Sequence, residues 1–280
     1  MTFVIIKSIA TVLDPFLLVF LRGTLATSLM FLYLLIFKNE SLSNKRSIQK
    51  GAILGVMLAA MYVMQTFGLQ FTSSGHSAFI TSTFVIITPI IMALQFKHRM
   101  KKIGVIAIGI VAIGLFFFTY EPGTSLNIGD VITFLATVIG AYHIIYGGFF
   151  VKNTDTLGLI FYQFLFTTLI AGVIAIGVND PLPVFTNELI GAIVYLGVLG
   201  TLFCYFVSIW AQKHVSAVTV ALIFACEPIF ASTAAYFFLG EQFGMKEVLG
   251  AGLILLGVVM YDLPIFKWIR KSSKKALPER

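Results

Sequence analysis

The sequence predicts an all-α polytopic membrane protein with ten transmembrane helices in two inverted five-helix repeats, and three observations lead to it. First, 59% of the 280 residues are hydrophobic and 11% are charged, whereas soluble domains have about 25% charged residues. Second, short basic loops separate the apolar segments. Third, two similar apolar segments that each contain a proline, Ser77–Leu94 and Ser216–Leu239, occur in corresponding halves, a pattern that points to a transporter's binding site.

Apolar segments of suitable length define the predicted helices, because a spanning helix needs about 20 mainly apolar residues. Nine segments meet or approach this length: Phe16–Phe37, Gly51–Phe71, Ser77–Phe96, Ile103–Tyr120, Ile128–Phe150, Leu157–Val178, Leu189–Ala211, Ser216–Leu239 and Val248–Ile265. A shorter run, Thr2–Leu13, precedes them and ends at Asp14-Pro15. As a helix it would span about 18 Å of the roughly 30 Å of hydrocarbon. The first helix is therefore expected to be truncated at its N-terminus, and two explanations remain: residues upstream of Met1 complete it, or a short helix is tolerated.

Loop charges predict the orientation in the membrane. With a cytoplasmic N-terminus, the cytoplasmic loops and tail contain most of the 19 basic residues: Lys38, Lys45, Arg46, Lys50, Lys97, Arg99, Lys101, Lys102, Lys152, Lys213, Lys267, Arg270, Lys271, Lys274, Lys275 and Arg280. The external loops contain one basic residue, Lys246, and most of the acids: Asp14, Glu121, Asp180, Glu188, Glu241 and Glu247. We expect a multi-pass protein of the cell membrane with both termini in the cytoplasm.

The predicted domains follow from the helix count. Residues 1–120 form a first five-helix repeat, residues 128–265 form a second repeat, and residues 266–280 form a basic cytoplasmic tail. Because five is odd, the second repeat must be inverted relative to the first. Inverted-topology repeats are typical of secondary transporters.

Alignment of the two proline-containing segments gives a residue-by-residue correspondence. Pro89 and Pro228 are 139 positions apart and are the expected helix breaks. The same offset pairs Ser77 with Ser216, Ala78 with Ala217 and Thr88 with Glu227. The glycine pattern of the last helix in each half also recurs, with Gly109 and Gly114 matching Gly252 and Gly257.

Polar residues within the spans are candidates for a pathway because burying them in lipid is costly. On the eighth helix, for example, Thr201, Tyr205 and Ser208 step by four and three residues and share one face. The candidate substrate-cavity residues are Tyr62, Gln65, Thr66, Thr81, Thr88, Thr137, His143, Thr201, Tyr205, Ser208 and Glu227. Alternatively, each side chain bonds its own backbone or a neighbouring helix.

Three formal charges lie in or near the predicted spans: Lys7, Arg22 and Glu227. Glu227 precedes Pro228, and a carboxyl group beside a broken helix is suited to carrying a proton or contacting an ammonium group. A protonated Glu227 bonded to a neighbouring helix is the alternative. Lys7 and Arg22 are able to snorkel to an interface, and for Arg22, near the outer end of its helix, this is the favoured interpretation.

Several stretches together resemble a known family. They are TFVIIK at the start, Phe20-Leu21-Arg22, SAFITSTFVIITPI, SAVTVALIFACEPIFASTAAYFFLGE and GAGLILLGVVM. Their order is similar to that of the EamA-type ten-helix members of the drug/metabolite transporter superfamily. The Trp-Gly that usually precedes the first of these motifs is absent, and Met1 replaces a serine. The resemblance implies two inverted repeats around a central cavity, and export or exchange of small metabolites.

The leading functional hypothesis is a secondary transporter of an amino-acid-like or amphipathic solute, working by alternating access and not itself an enzyme. Its expected partners are a small-molecule substrate, the lipid bilayer and coupled protons, with no nucleic acid, cofactor or metal. No P-loop motif is present, so ATP is not expected to drive it directly.

Two alternatives remain. A sugar-phosphate or nucleotide-sugar carrier of the same superfamily would need a basic residue in the cavity. The ninth helix has none, which leaves Lys7 and Arg22. An intramembrane enzyme would use Asp130 and Asp262, although Asn127 occupies the position of the first glycine in the usual GxGD motif.

Overall fold

The computed structural model describes residues 2–9, 13–97, 100–119, 127–178, 183–239 and 244–262, and this part of the chain contains helices but no strands. Its α-helices are α1 (Thr2–Ile9), α2 (Pro15–Phe37), α3 (Lys45–Phe71), α4 (Ser74–Ser82), α5 (Phe84–Leu94), α6 (Lys102–Thr119), α7 (Ile128–Phe150), α8 (Thr156–Val178), α9 (Asn187–Gly197), α10 (Cys204–Ala211), α11 (Ala217–Phe224), α12 (Glu227–Leu239) and α13 (Met245–Asp262). A π-helical segment, Val198–Phe203, joins α9 to α10. The predicted tail, 266–280, lies outside the described residues.

Long apolar helices confirm a polytopic all-α membrane protein. Within the described ranges, six helices are long and apolar enough to cross a membrane: Pro15–Phe37, Lys45–Phe71, Ser74–Leu94, Ile128–Asn153, Thr156–Val178 and Asn187–Ala211. Lys102–Phe118 and Ala217–Phe230 are shorter apolar helices.

Polar caps define where several of these helices begin. Asp14 accepts hydrogen bonds from the backbone N–H groups of Phe16 (2.8 Å) and Leu17 (3.1 Å), and Pro15 occupies the first position of α2. Proline is well tolerated there because a first-turn N–H has no partner within the helix. Asn127 and Asp130 form a reciprocal capping box at the start of α7.

The helix made by α4 and α5 is interrupted at Thr83. The Thr83 backbone N–H bonds to the carbonyl of Ile80 at 3.0 Å, and its hydroxyl donates to the same oxygen at 2.6 Å. Side-chain bonds of this kind bend helices. The break expected at Pro89 is therefore displaced by six residues, and Pro89 lies inside α5. The loss of one backbone bond at a proline is tolerated in spans where neighbouring helices compensate, and α5 packs against α7 and α11.

A second interruption, at Ala225 and Cys226, separates α11 from α12. The Cys226 N–H bonds to the carbonyl of Ile223 at 3.0 Å, a three-residue step that ends the regular α-helix. Pro228 follows directly as the second residue of α12, where its missing N–H removes no helical bond.

The caps and interruptions give an offset between the two segments. This offset differs by one helical turn from the offset that the prolines predict. Ser73 caps α4 and Ser216 caps α11, and these serines are 143 positions apart. Thr83 and Cys226, at the interruptions, are also 143 apart. In this register the counterpart of Glu227 is Phe84, the first residue of α5, and not Thr88. The prolines misled the alignment because they follow their interruptions at different distances.

A reciprocal contact joins α6 to α13. A Cβ atom on Gly114 would lie 2.9 Å from the carbonyl oxygen of Gly250, and one on Gly257 would lie 2.7 Å from that of Ala107. Gly114 and Gly257 are 143 positions apart, and so are Ala107 and Gly250. Each helix therefore contacts the other through the same positions, as two subunits do across a two-fold axis.

Contacts between the two halves of the chain dominate the rest of the packing. Helix α3 packs against α7 and α8, while α2 packs against α8 and α9. The interruptions also meet, because the rings of Phe84 and Phe224 lie edge to face with centroids 5.9 Å apart. This arrangement brings polar side chains of both halves together in the interior.

Candidate functional site

Arg22 lies in the protein interior. It is seven residues into α2, about 10 Å along the helix, and its side chain is 1% exposed. The expectation that Arg22 snorkels to an interface is wrong. The side chain instead turns toward the π-helical segment of the second half, where it finds hydrogen-bond acceptors.

Three neighbours hold the guanidinium group of Arg22. Its Nε donates to the hydroxyl of Thr201 at 2.8 Å, and one terminal nitrogen lies 3.5 Å from the carbonyl oxygen of Gly200. The guanidinium carbon lies 3.8 Å from the centre of the Tyr62 ring. Such a cation–π contact contributes about 2 kcal/mol when it is desolvated. Burying the charge costs several kcal/mol, and these contacts offset part of that cost.

The π-helical segment supplies the acceptors that Arg22 uses. The Thr201 hydroxyl donates to the carbonyl of Leu196, five residues earlier, at 2.8 Å. Close approach of α9 to α2 depends on Gly197, since a Cβ there would lie 3.2 Å from the backbone oxygen of Arg22. π-Helical turns within α-helices frequently occur at functional sites.

An aromatic chain extends from Arg22 across the bundle. Tyr62 and Tyr205 pack edge to face with ring centroids 5.7 Å apart, and Tyr205 and His143 do so at 5.5 Å. The Nε2 atom of His143 lies 3.1 Å from Oε1 of Gln163, and both side chains are buried. We call the six residues Arg22, Tyr62, His143, Gln163, Thr201 and Tyr205 the arginine cluster. They come from five α-helices, α2, α3, α7, α8 and α10, and from the π-helical segment.

Gln163 was absent from the residues predicted from sequence. Its amide nitrogen is buried without a hydrogen-bond partner among the described residues. Thr167 follows one turn later on α8 and bonds the carbonyl of Gly55 at 3.1 Å. The sequence does contain a signal for Gln163, because Gln163 and Thr167 are two polar residues spaced by four positions in an apolar helix.

A second group of predicted residues lies on α3, α4 and α7. The amide of Gln65 donates to the hydroxyl of Thr81 at 3.2 Å. Thr137 bonds its own backbone at Thr133, at 2.8 Å. Thr66 is buried and its hydroxyl has no partner among the described residues.

The predicted pair Thr88 and Glu227 occupies two different environments. Thr88 is fully buried in α5, and its hydroxyl has no partner in the described part of the chain. Glu227 is an exposed residue at the start of α12, directly after the interruption at Cys226. The two positions that the prolines align therefore differ in burial and in charge.

Two predicted positions remain, Ser208 and Lys7. Ser208 is buried on α10. Lys7 lies on α1, but its side chain is outside the described residues. Within the described ranges, no three His, Cys, Asp or Glu residues are grouped to hold a metal ion.

Comparisons with known proteins support the same architecture. The EamA-like transporter family matches residues 1–120 and 127–261. One relative, an uncharacterized transporter of Archaeoglobus fulgidus, is 24% identical over 269 residues, covering 92% of this chain and 91% of its own. The uncharacterized transporter YoaV of Bacillus subtilis is 20% identical over 254 residues, covering 89% of this chain and 87% of its own.

A crystal structure of another protein shares the fold, with a TM-score of 0.76 at 14% identity, over 95% of this chain and 96% of that one. Two matches to the same family, one in each half, account for nearly the whole sequence. The predicted resemblance is confirmed, and the chain belongs to the EamA-like transporter family.

Proposed function

We propose that this protein is a secondary transporter that exports or exchanges small metabolites across the cytoplasmic membrane by alternating access. Amino-acid-like or amphipathic solutes are the substrate class. The observation that carries the proposal is the arginine cluster, in which Arg22 and Tyr62 of the first half contact Thr201 and Tyr205 of the second. A polar site shared by two halves is accessible from either side when the halves rock about it.

The proposed architecture is ten helices in two inverted repeats, residues 1–120 and 128–265. The common offset of 143 residues in the caps, interruptions and glycines supports a repeat. The reciprocal contact of α6 with α13 supports a two-fold relation between the repeats. Loop charges support cytoplasmic termini, and the position of the ionisable residue Glu227 directly after a helix interruption supports coupling to protons.

A second candidate is a sugar-phosphate or nucleotide-sugar carrier. Arg22 favours it, because this buried cation has no carboxylate partner among the described residues. An enzyme built on Asp130 gains no such support. That carboxylate accepts bonds from Thr72 at 2.6 Å and from the backbone of Asn127 at 2.9 Å, so its oxygens stabilise a helix end.

Counterflow in proteoliposomes tests the proposal. Liposomes containing the purified full chain are loaded with unlabelled leucine, glutamine or glucose 6-phosphate and given the same labelled solute outside. We expect saturable uptake that depends on the internal solute for at least one of them, with leucine or glutamine favoured over the sugar phosphate. Counterflow of glucose 6-phosphate alone would select the second candidate. Uptake no greater than in protein-free liposomes for the whole panel would contradict transport.

A further inference from the structure

We propose that Arg22 is an anion-binding subsite whose free guanidinium edge binds a carboxylate group of the solute. The inference rests on the proposed transport function and goes further, because it assigns a recognised chemical group to one side chain.

Arg22 has more donors than the described residues supply acceptors for. A guanidinium group carries five N–H donors and stays protonated in proteins. Thr201 accepts one hydrogen bond, and the carbonyl of Gly200, at 3.5 Å, accepts a weak second one. The three other donors have no acceptor among the described residues. The side-chain ion pair found in this part of the chain joins His76 to Asp130 and does not involve Arg22.

The contacts of Arg22 leave its edge suited to a carboxylate. Tyr62 covers one face of the guanidinium plane, at 3.8 Å, and Thr201 fixes the Nε side. The terminal nitrogens then present parallel N–H groups, the geometry that binds a carboxylate or phosphate in a bidentate manner. A carboxylate would also compensate a buried positive charge.

The position of Arg22 links binding to both halves of the protein. Its own helix and Tyr62 belong to the first half, while Thr201 and Gly200 belong to the second. Movement of one half against the other would change the acceptors around the guanidinium group. A bound anion would then have different affinities in the two states, the condition for a ligand to shift a conformational equilibrium.

A binding assay that does not require transport tests this inference. The purified full chain in detergent is titrated with acid and amide pairs: acetate and acetamide, leucine and leucinamide, and succinate and succinamide, at matched ionic strength. Inorganic phosphate distinguishes a preference for phosphate from one for carboxylate. We expect at least one acid to bind about tenfold or more tightly than its amide, as hydrogen bonds to charged groups do.

Two substitutions separate recognition from folding. Arg22→Gln should bring the acid-to-amide affinity ratio close to one. Arg22→Lys keeps the charge but loses the planar fork, and should leave an intermediate ratio; it serves if Arg22→Gln does not fold. The matched control is Arg46→Gln, the same change at an exposed position at the start of α3, which should leave the ratio unchanged.

The outcomes distinguish this inference from the proposed function. Equal binding of acids and amides by the unmodified protein, or a preference that persists in Arg22→Gln, overturns the anion subsite even if counterflow is observed. Tighter binding of phosphate than of every carboxylate overturns the assignment to a carboxylate. A preference that depends on Arg22 without counterflow supports the subsite and contradicts transport.

Discussion

The two interrupted helices, α4–α5 and α11–α12, share a backbone plan and differ in chemistry. Each begins with a serine cap and is interrupted ten residues after that cap, at Thr83 and at Cys226. The next residue is Phe84 in the first half and Glu227 in the second. The comparison indicates that the repeat specifies where the helices bend, while single positions beside the bends differ in size and charge between the halves.

The largest effect is expected at Glu227, which is the ionisable counterpart of Phe84. Glu227→Gln preserves the shape of the side chain and removes its ionisable group, so flux driven by a pH gradient in proteoliposomes should fall about tenfold or more. The matched control is Glu247→Gln in the first turn of α13, for which we expect flux within about twofold of the unmodified protein. Unchanged flux in Glu227→Gln would remove the proton role of this residue.

The glycines of α6 and α13 test whether the shared backbone plan is symmetric. A Cβ on Gly114 or Gly257 would meet backbone atoms below 3.0 Å, whereas one on Gly109 or Gly252 meets nothing within 4 Å. Gly114→Ala and Gly257→Ala should each lower the free energy of unfolding by about 1–3 kcal/mol. Gly109→Ala and Gly252→Ala should instead raise it by about 0.5–1 kcal/mol, because alanine favours a helix.

Thermal unfolding in detergent provides the measurement for all four glycine variants. The two tight positions should behave alike, and so should the two open ones. A large difference between Gly114→Ala and Gly257→Ala would contradict the reciprocal contact.

The smallest effect on transport is expected at Thr88, the residue that the proline alignment pairs with Glu227. Its hydroxyl is buried with no partner among the described residues. Because an unpaired buried hydroxyl is destabilising, Thr88→Val should raise the free energy of unfolding by about 1 kcal/mol and leave counterflow intact. Loss of counterflow in a stable Thr88→Val protein would favour the original alignment.

The sequence alone predicted features that depend on whole segments. Composition and apolar length indicated a helical membrane protein, and the order of several motifs indicated the family. The spacing of Gly109 from Gly252 already contained the offset of 143 residues. The proline alignment concealed it because a proline can lie inside a helix, as Pro89 does.

Features that depend on which way a helix faces were harder to predict. Arg22 was expected at an interface, yet its main acceptor is Thr201, 179 residues later in the chain. Gln163 was overlooked because its role depends on His143 of a neighbouring helix. Hydropathy describes a segment, but the rotation of a helix about its axis is decided by such distant partners.

Spin-label distances test alternating access between the two halves most directly. With Cys204 and Cys226 replaced by alanine, one label pair is placed at Ser74 and Glu188, at the predicted external ends, and another at Lys101 and Lys213, at the predicted cytoplasmic ends. Both pairs are measured in liposomes with and without the solute that shows counterflow. We predict opposite changes, so that the external distance shortens as the cytoplasmic distance lengthens. If neither the external nor the cytoplasmic distance changed with solute in protein that is actively transporting, the account would be contradicted.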